Sequence, residues 1–282
     1  MHVVIVGLGR MGAEIAQAVA LSGDAITLLD TDKKKLRIVL GRLTLGLQKG
    51  VARGKLNARR VRRALRTFTL TSDLAQCASA DLVIEAIPDV REEKETLLRA
   101  LEDVVRPDTV LASTSNTLAV TALAADARFP ERIVGLHFFN PVYIMQLVEV
   151  VRGPRTSQEA IDRAVDLMRR MDKTPVVVED TPGLLVNRIA QAYFGEALHL
   201  LDDARLDVET VDRLLEAAGF PMGPFRLMDF IGIDTAFEIT QAMYEDTFHA
   251  TPYRPHPRQK RLVDAARLGK KSVHGGFYPP EK

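Results

Sequence analysis

The sequence contains a single cysteine, Cys77, among its 282 residues. It therefore cannot form an intrachain disulfide or a metal site built from several cysteines, and it suits a reducing compartment. It also lacks any apolar stretch approaching the ~20 residues that cross a bilayer as a helix. Its first residues pass directly into an apolar VVIV run, without a basic leader or a small-residue cleavage site. From these absences we expect a cytoplasmic protein without a membrane partner.

Acidic residues are scarce in one segment of the chain, which is strongly basic. Residues 31–66 carry thirteen Lys or Arg and one acid, Asp32, whereas the whole chain has a net charge of +1, which leaves −11 for the remainder. A basic patch on an otherwise acidic protein predicts an anionic ligand, although a solvated basic face is the alternative for any single residue. A nucleic acid is disfavoured, because the segment has no aromatic residue for base stacking and Phe68 lies just beyond its end.

Length and segment order predict two domains. The chain reaches the size, about 250 to 300 residues, at which single hydrophobic cores stop growing. Its hydrophobic fraction of 46% and charged fraction of 27% are ordinary for a globular protein. Strand-like and helical patterns alternate up to the Pro182-Gly183 pair, and from residue 184 onward the pattern is helical throughout. We predict an α/β fold with a Rossmann-type, mostly parallel sheet in residues 1–182 and an all-α C-terminal domain in residues 183–282.

A glycine motif near the start predicts a dinucleotide site. The VVIV run is followed by GLGRMG and an amphipathic AEIAQAVALSG, so Gly7, Gly9 and Gly12 have the GxGxxG spacing of a turn that holds a pyrophosphate at a helix N-terminus. A second apolar run ends at Asp30, eighteen residues after Gly12, close to the ~20 expected for the acid that binds the adenosine ribose. Because an acid there repels a 2′-phosphate, we predict NAD rather than NADP. A helix N-cap is the alternative for Asp30, and the two roles are compatible.

The segment from Lys33 to Leu65 predicts an inserted helical hairpin. Apolar residues recur at helical spacing, a break follows near residues 50–54, and a second basic run completes the segment. A Rossmann unit does not require this insertion.

One histidine and one glutamate predict a catalytic pair. His137 ends a short apolar run, and Glu149 lies twelve residues later inside the apolar run LVEVV. A buried carboxylate needs a partner, since an unpaired buried charge is costly, and His137 is the natural one. Such a pair fixes the ring tautomer and leaves one ring nitrogen to exchange a proton, which suits alcohol oxidation. The alternative is that His137 caps a strand and Glu149 lies on a solvated edge.

Four motifs in this order, GLGRMG, HFFNP with LVEVV, TPGLLVNR and PMGPF, extend over nearly the whole chain. Together they resemble the 3-hydroxyacyl-CoA dehydrogenase family, of the short-chain 3-hydroxybutyryl-CoA type. The resemblance implies an NAD-dependent homodimer of fatty acid β-oxidation that reversibly oxidises a (3S)-3-hydroxyacyl-CoA to a 3-ketoacyl-CoA. It also implies that His137 is the base, that Glu149 orients it, and that Asn187 contacts the substrate. A structural hydrogen bond joining the domains is the alternative for Asn187.

The resemblance assigns further charged residues to ligands. Asp89 and Lys94 match the family's cofactor-binding acid and lysine, although such residues are ordinarily first-turn helix charges. Lys271, in the closing RLGKKSVHGGFYPP stretch, matches a lysine that approaches the cofactor. Arg53 matches a basic position over coenzyme A, whereas Gly46 replaces the family's serine one turn earlier.

The loop STSNT departs from the family pattern, in which SNT is followed by two small hydroxyl residues and the first of them hydrogen-bonds the substrate oxygen. Here Leu118 follows directly. We therefore predict that the serine is deleted and that Thr117 replaces it, or Ser115 if the loop is re-formed, with Asn116 beside them in the substrate site.

Two alternatives to this function remain. A related NAD-dependent dehydrogenase of a small hydroxy acid, of the gulonate or carnitine type, has the same architecture, but a small acid needs no basic insertion. A protein that binds NAD without catalysis is the second alternative, and the missing serine supports it.

Overall fold

An eight-stranded sheet is the framework of the first of two units, Met1–Thr181 and Pro182–Lys282, into which the chain divides. The computed structural model describes residues 1–280. The boundary between the units lies one residue before the predicted one. The strands are β1 (His2–Val6), β2 (Ala25–Leu29), β3 (Phe68–Thr71), β4 (Leu82–Glu85), β5 (Val110–Ser113), β6 (Ile133–Phe138), β7 (Leu147–Arg152) and β8 (Thr174–Glu179).

The strand order is β3-β2-β1-β4-β5-β6-β7-β8. All neighbours pair in parallel except β6 and β7, so β7 and β8 run against the other six strands. The order of the first six strands is that of the Rossmann fold, with its reversal between β1 and β4. Parallel strands covered on both faces are apolar on both, which explains the unbroken VVIV and LVI runs of β1 and β4. The predicted fold class is confirmed.

Six α-helices cover this sheet, and two of them form the predicted hairpin. They are α1 (Arg10–Ser22), α2 (Lys33–Ala52), α3 (Ala58–Ala64), α4 (Arg91–Glu102), α5 (Val120–Leu123) and α6 (Gln158–Arg170). The carboxylate of Asp32 caps α2 by accepting from the N–H groups of Lys34 and Lys35, and Asn57 caps α3 in the same way. Short 3₁₀ turns lie at Leu74–Cys77 and Pro130–Arg132.

The core of the first unit lies between the sheet and the apolar stripes of α1 and α6. Ile15 and Val19 of α1 and Ile161 and Leu167 of α6 are buried against strand residues such as Ile5. The spacing of four residues places Ile15 and Val19 on one helix face, as expected of a helix that covers a sheet.

The second unit is helical over the part that the structure describes. Its helices are α7 (Val186–Asp203), α8 (Val208–Ala217), α9 (Pro224–Ile231), α10 (Ile233–Asp246) and α11 (Pro257–Asp264), with 3₁₀ turns at Thr251–Tyr253 and Gly269–Lys271. Phe194, Phe225 and Met228 form its core. Asp212, which is fully buried, accepts from the N–H groups that begin α9. Among the helices of residues 1–280, none combines the length and apolar content needed to cross a bilayer.

Candidate active site

The carboxyl ends of six parallel strands form one edge of the sheet, and most predicted site residues of the first unit lie there. Gly7 follows β1, Asp30 follows β2, Asp89 follows β4 and Asn116 follows β5, while His137 is the penultimate residue of β6. In open α/β sheets, ligands bind outside the carboxyl ends of the strands, where the strand order reverses. Topology therefore brings residues from distant parts of the sequence to one edge.

The glycine turn between β1 and α1 leaves room for backbone but not for side chains. Gly7 has φ +88°, and a Cβ there would lie 2.8 Å from the carbonyl oxygen of Ala86. A Cβ on Gly12 would lie 2.0 Å from the carbonyl oxygen of Gly7. Gly9, the N-cap of α1, has open space where a Cβ would be. The turn thus presents bare backbone at the start of a thirteen-residue helix, which fits a pyrophosphate.

Asp30 is an ionised, buried acceptor beside this turn. Its Oδ2 accepts from the N–H of Leu8 at 2.8 Å and lies 2.6 Å from Nζ of Lys35, and its Oδ1 accepts from the N–H of Asp32 at 3.1 Å. Burial alone would raise the pKa of Asp30, but these hydrogen bonds outweigh it and hold the pKa below its usual value. The alternative interpretation of Asp30 as the cap of α2 is wrong, because Asp32 occupies that position.

His137 and Glu149 face each other across the antiparallel β6–β7 ladder as register partners. Nδ1 of His137 lies 2.5 Å from Oε2 of Glu149, and the side chains are 7% and 0% exposed. With Glu149 ionised, Nδ1 carries the hydrogen of this bond and Nε2 presents its lone pair. The ring of Phe139 lies beside the imidazole, with 4.5 Å between centroids. The alternative of a solvated edge for Glu149 is therefore excluded.

A buried ion pair that the sequence interpretation missed lies between β4 and α4. Lys94 is fully enclosed, and its Nζ donates to Oε1 of Glu85 at 2.6 Å and to the carbonyl oxygen of Ile87 at 3.1 Å. It also forms an ion pair with Oδ1 of Asp89 at 3.1 Å. The hydroxyl of Thr117 donates to Oδ2 of Asp89 at 3.0 Å. The sequence did contain a signal for this pair, because Glu85 is a charged residue at the end of an apolar run, just as Glu149 is a charged residue inside one.

The STSNT loop after β5 uses its serines internally. The hydroxyl of Ser113 donates to Oε2 of Glu85 at 2.7 Å, and the buried hydroxyl of Ser115 accepts from the N–H of Leu118 at 2.9 Å. Asn116 is exposed, and its side-chain amide has no hydrogen-bond partner within residues 1–280. Of the three predicted loop residues, Ser115 and Thr117 therefore use their hydroxyls in hydrogen bonds within the protein. The side-chain amide of Asn116 forms none with the described residues.

Three other predicted residues belong neither to the ends of these strands nor to the loops that follow them. Arg53 is the exposed C-cap residue of α2. In the second unit, Asn187 is the half-buried second residue of α7, and Lys271 ends a 3₁₀ turn with its Nζ 2.6 Å from Asp234 and 3.3 Å from Thr235.

The strand order, the glycine turn and the acid after β2 define a dinucleotide-binding protein of the Rossmann class. Residues 2–181 match the family model described as the 3-hydroxyacyl-CoA dehydrogenase NAD binding domain, and residues 183–278 match the family's C-terminal domain. The chain belongs to the 3-hydroxyacyl-CoA dehydrogenase family. The predicted family and the predicted NAD cofactor are confirmed.

Similar proteins carry related names. The chain is 38% identical over 276 residues to the 3-hydroxyadipyl-CoA dehydrogenase of Escherichia coli, a match that covers 98% of this chain and 58% of that protein's length. It is 34% identical over 282 residues to a probable 3-hydroxybutyryl-CoA dehydrogenase of Bacillus subtilis, covering 100% and 98%. The crystal structure of (S)-3-hydroxybutyryl-CoA dehydrogenase from Ralstonia eutropha superposes with a TM-score of 0.94 at 30% identity, covering 100% and 99%.

Proposed function

We propose that this chain catalyses the reversible, NAD-dependent oxidation of a (3S)-3-hydroxyacyl-CoA to the 3-ketoacyl-CoA. The observation that carries the proposal is the buried His137–Glu149 pair at 2.5 Å, on a sheet whose first turn fits a dinucleotide. The 3-hydroxybutyryl-CoA dehydrogenase names of full-length relatives support the substrate class.

In this mechanism His137 acts as general base. Its Nε2 accepts the proton of the substrate hydroxyl, while Glu149 holds the ring in one tautomer and stabilises the imidazolium that forms. When bound, NAD⁺ supplies the hydride acceptor. General-base assistance of this kind contributes about 10² to 10⁴ in rate. In the reverse direction the imidazolium returns the proton to the carbonyl oxygen.

The cofactor contacts follow from the edge of the sheet. The glycine turn receives the pyrophosphate, and Asp30 accepts hydrogen bonds from the adenosine ribose. Because Lys94 is enclosed, it acts on the cofactor through Asp89, whose side chain is 32% exposed. The contact of Lys271 rests on the family resemblance. The proposed set is Gly7, Gly9, Gly12, Asp30, Asp89, Lys94 and Lys271.

The substrate contacts begin with the loop after β5. We assign the hydrogen bond to the substrate oxygen to the exposed amide of Asn116, because the hydroxyl of Thr117 already donates to Asp89 and the hydroxyl of Ser115 is buried where it accepts from Leu118. Ser115 and Thr117 then shape the loop. Arg53, exposed at the end of α2, is suited to a phosphate of coenzyme A, and Asn187 is retained as a substrate contact on the family resemblance.

The second unit is proposed to pair two chains into a homodimer. It exposes several large apolar side chains, including Ile189 at 63%, Leu214 at 58% and Phe248 at 94%. Exposed apolar surface of this kind favours association. Light scattering during size-exclusion chromatography, which gives the mass in solution, tests this assignment.

A reducing, cytoplasmic location completes the proposal. It is supported by Cys77, a free thiol that is fully buried. Burial, with a smaller effect of Asp73, raises the pKa of this thiol to about 11, so it is a structural rather than a reactive cysteine.

The deciding experiment is NADH oxidation with acetoacetyl-CoA by the wild type and by His137→Gln. We expect turnover by the wild type and a loss of about 10² to 10⁴ in kcat for the variant, with unchanged NADH binding measured by fluorescence. His249→Gln, at a histidine that is 60% exposed, is the matched control and keeps the wild-type rate. Turnover of the variant at the parent rate would refute the base assignment. Activity on gulonate or carnitine without activity on acetoacetyl-CoA would instead establish a small-acid dehydrogenase.

A further inference from the structure

The loop between β6 and β7 joins the strand of the proposed base to the strand of its carboxylate. β6 ends at Phe138 and β7 begins at Leu147. His137 and Glu149 therefore lie on the second rung of the ladder, counted from this loop. β5 ends opposite Gly135, and within the described sheet the last three residues of β6 pair with β7 alone. The end of a two-stranded ladder frays readily, so the proposed pair depends on how the loop is held.

Lys173, the residue before β8, holds this loop from one side. Its Nζ donates to the carbonyl oxygen of Met145 at 2.8 Å and to that of Val142. Burial, against a smaller opposing effect of Asp172, holds the pKa of Lys173 below its ordinary value, and the ammonium forms no ion pair among the residues that the structure describes. A half-buried lysine whose partners are two loop carbonyls fixes the path of the backbone between them.

Glu14, in the second turn of α1, holds the same loop from the other side. Its Oε2 accepts from the N–H of Val142 at 2.7 Å, while its Oε1 lies 3.3 Å from Nε of Arg10. The side chain of Val142 is buried in the core of the first unit. This single loop residue is thus fixed at its N–H, at its side chain and at its carbonyl oxygen, by elements that are far apart in the sequence.

We propose that Glu14 and Lys173 are positioning residues for His137. By fixing Val142, they hold the end of the β6–β7 ladder closed and keep the imidazole against Glu149. Because their hydrogen bonds reach the loop backbone, each of them acts on the imidazole through that backbone. The inference rests on the proposed function, since it assigns these contacts to general-base catalysis. If the contacts only stabilised the fold, the rate per folded molecule would not depend on them.

Glu14 offers a matched pair of variants at one position. Glu14→Gln keeps an oxygen that accepts from the N–H of Val142, whereas Glu14→Ala removes it. With acetoacetyl-CoA and NADH, we expect Glu14→Ala to lower kcat by about tenfold to 10², because a shift of a catalytic group by about 1 Å has effects of this size. Glu14→Gln should stay within about threefold of the wild-type kcat. The Kd of the NADH complex should change in neither variant.

Lys173 gives a second, independent test of the same loop. Lys173→Met should lower kcat, while Lys173→Arg, which still donates to both carbonyls, should recover most of the loss. Lys260→Met is the matched control, because it removes an exposed lysine from an ion pair in the second unit and should keep the wild-type rate. Rates are referred to folded protein, counted by the stoichiometry of NADH binding. If Lys173→Met does not fold, the two Glu14 variants decide the question.

Coupling to Glu149 separates positioning from a structural role. In a Glu149→Ala background, where the partner of the imidazole is already absent, Glu14→Ala should lower kcat by less than about threefold further. Equal losses in the presence and absence of Glu149 would overturn the inference. So would an unchanged kcat in Glu14→Ala, or a higher Kd for NADH as its main effect, which would assign Glu14 to the cofactor turn.

A readout that needs no substrate is the proton NMR signal of the Nδ1–H of His137, which a 2.5 Å hydrogen bond to Glu149 shifts to low field. Its absence from His137→Gln assigns the signal. We expect it in the wild type and in Glu14→Gln, and we expect Glu14→Ala to lose it through exchange with solvent. Turnover by the wild type with a signal that persists in Glu14→Ala overturns the inference alone. The expected pattern of signals without turnover by the wild type contradicts the proposed function alone.

Discussion

The ammonium of Lys94 and the carboxylate of Glu85 lie 2.6 Å apart, and both are withdrawn from solvent. Around this pair, Glu85 also accepts from the hydroxyl of Ser113 on β5, while Lys94 holds Asp89, which in turn holds Thr117. The carboxyl ends of β4 and β5 and the start of α4 are thereby connected by one chain of hydrogen bonds and ion pairs. Its exposed members, Asp89 and Thr117, border the proposed cofactor and substrate sites.

The first prediction concerns this pair. Lys94→Met should lower the free energy of unfolding by about 3 to 5 kcal/mol, because it leaves Glu85 charged and without its cation in the interior. The double variant Glu85→Gln with Lys94→Met removes both charges and should recover part of that loss. Urea denaturation followed by circular dichroism measures both. A double variant no more stable than the single one would show that the cost comes from packing rather than from an orphaned charge.

Local sequence predicted the framework and the central pair because each rests on a short pattern. Alternating apolar runs and helical spacing predicted the Rossmann sheet, and valines around Glu149 indicated a buried carboxylate in need of a partner. The register that places His137 opposite Glu149 follows from one antiparallel pairing, so a segment of thirteen residues contains both partners.

The remaining relationships depend on tertiary contacts. Lys94 lies in a charged REEKE stretch that is typical of an exposed first turn, and only closure of α4 over Glu85 buries it. Three consecutive lysines begin α2, and which one reaches Asp30 is decided by the direction of the capped turn. In STSNT, spacing alone could not distinguish the engaged hydroxyls from the uncommitted amide of Asn116.

The second prediction separates the roles in the His137–Glu149 pair. Glu149→Gln preserves the shape of the side chain but removes the charge that stabilises the imidazolium and selects the ring tautomer. We expect kcat to fall by about 10² or more, while the KM for NADH and the Kd of the NADH complex stay unchanged. Steady-state kinetics with acetoacetyl-CoA, together with NADH titration, measure this split. A rise in KM at constant kcat would assign Glu149 to binding instead.

The third prediction compares two neighbours in the loop after β5. Asn116→Ala should lower kcat by about 10² to 10³, the usual effect of removing a hydrogen-bond donor to a developing oxyanion. Thr117→Val should cost less than about tenfold, because it removes one exposed hydrogen bond to Asp89. Steady-state rates of both variants with acetoacetyl-CoA test the order. A larger loss of kcat in Thr117→Val than in Asn116→Ala would instead assign the substrate contact to Thr117.

The fourth prediction concerns the pH dependence of stability at the start of α11. His256 is buried, its Nδ1 accepts from the N–H of Arg258 as a helix cap, and its Nε2 lies 3.4 Å from Asp202. Burial, which Asp202 only partly offsets, holds the pKa of His256 below its ordinary 6.5. As the pH falls below about 6.5, His256 therefore binds a proton more readily in the unfolded chain than in the folded chain, and the free energy of unfolding decreases.

His256→Asn keeps a capping acceptor but removes the titrating group, so the decrease in the free energy of unfolding between pH 7.5 and 5.5 should be smaller than in the wild type. Urea denaturation at the two pH values measures the difference, and an equal decrease in both proteins would place the titrating group elsewhere.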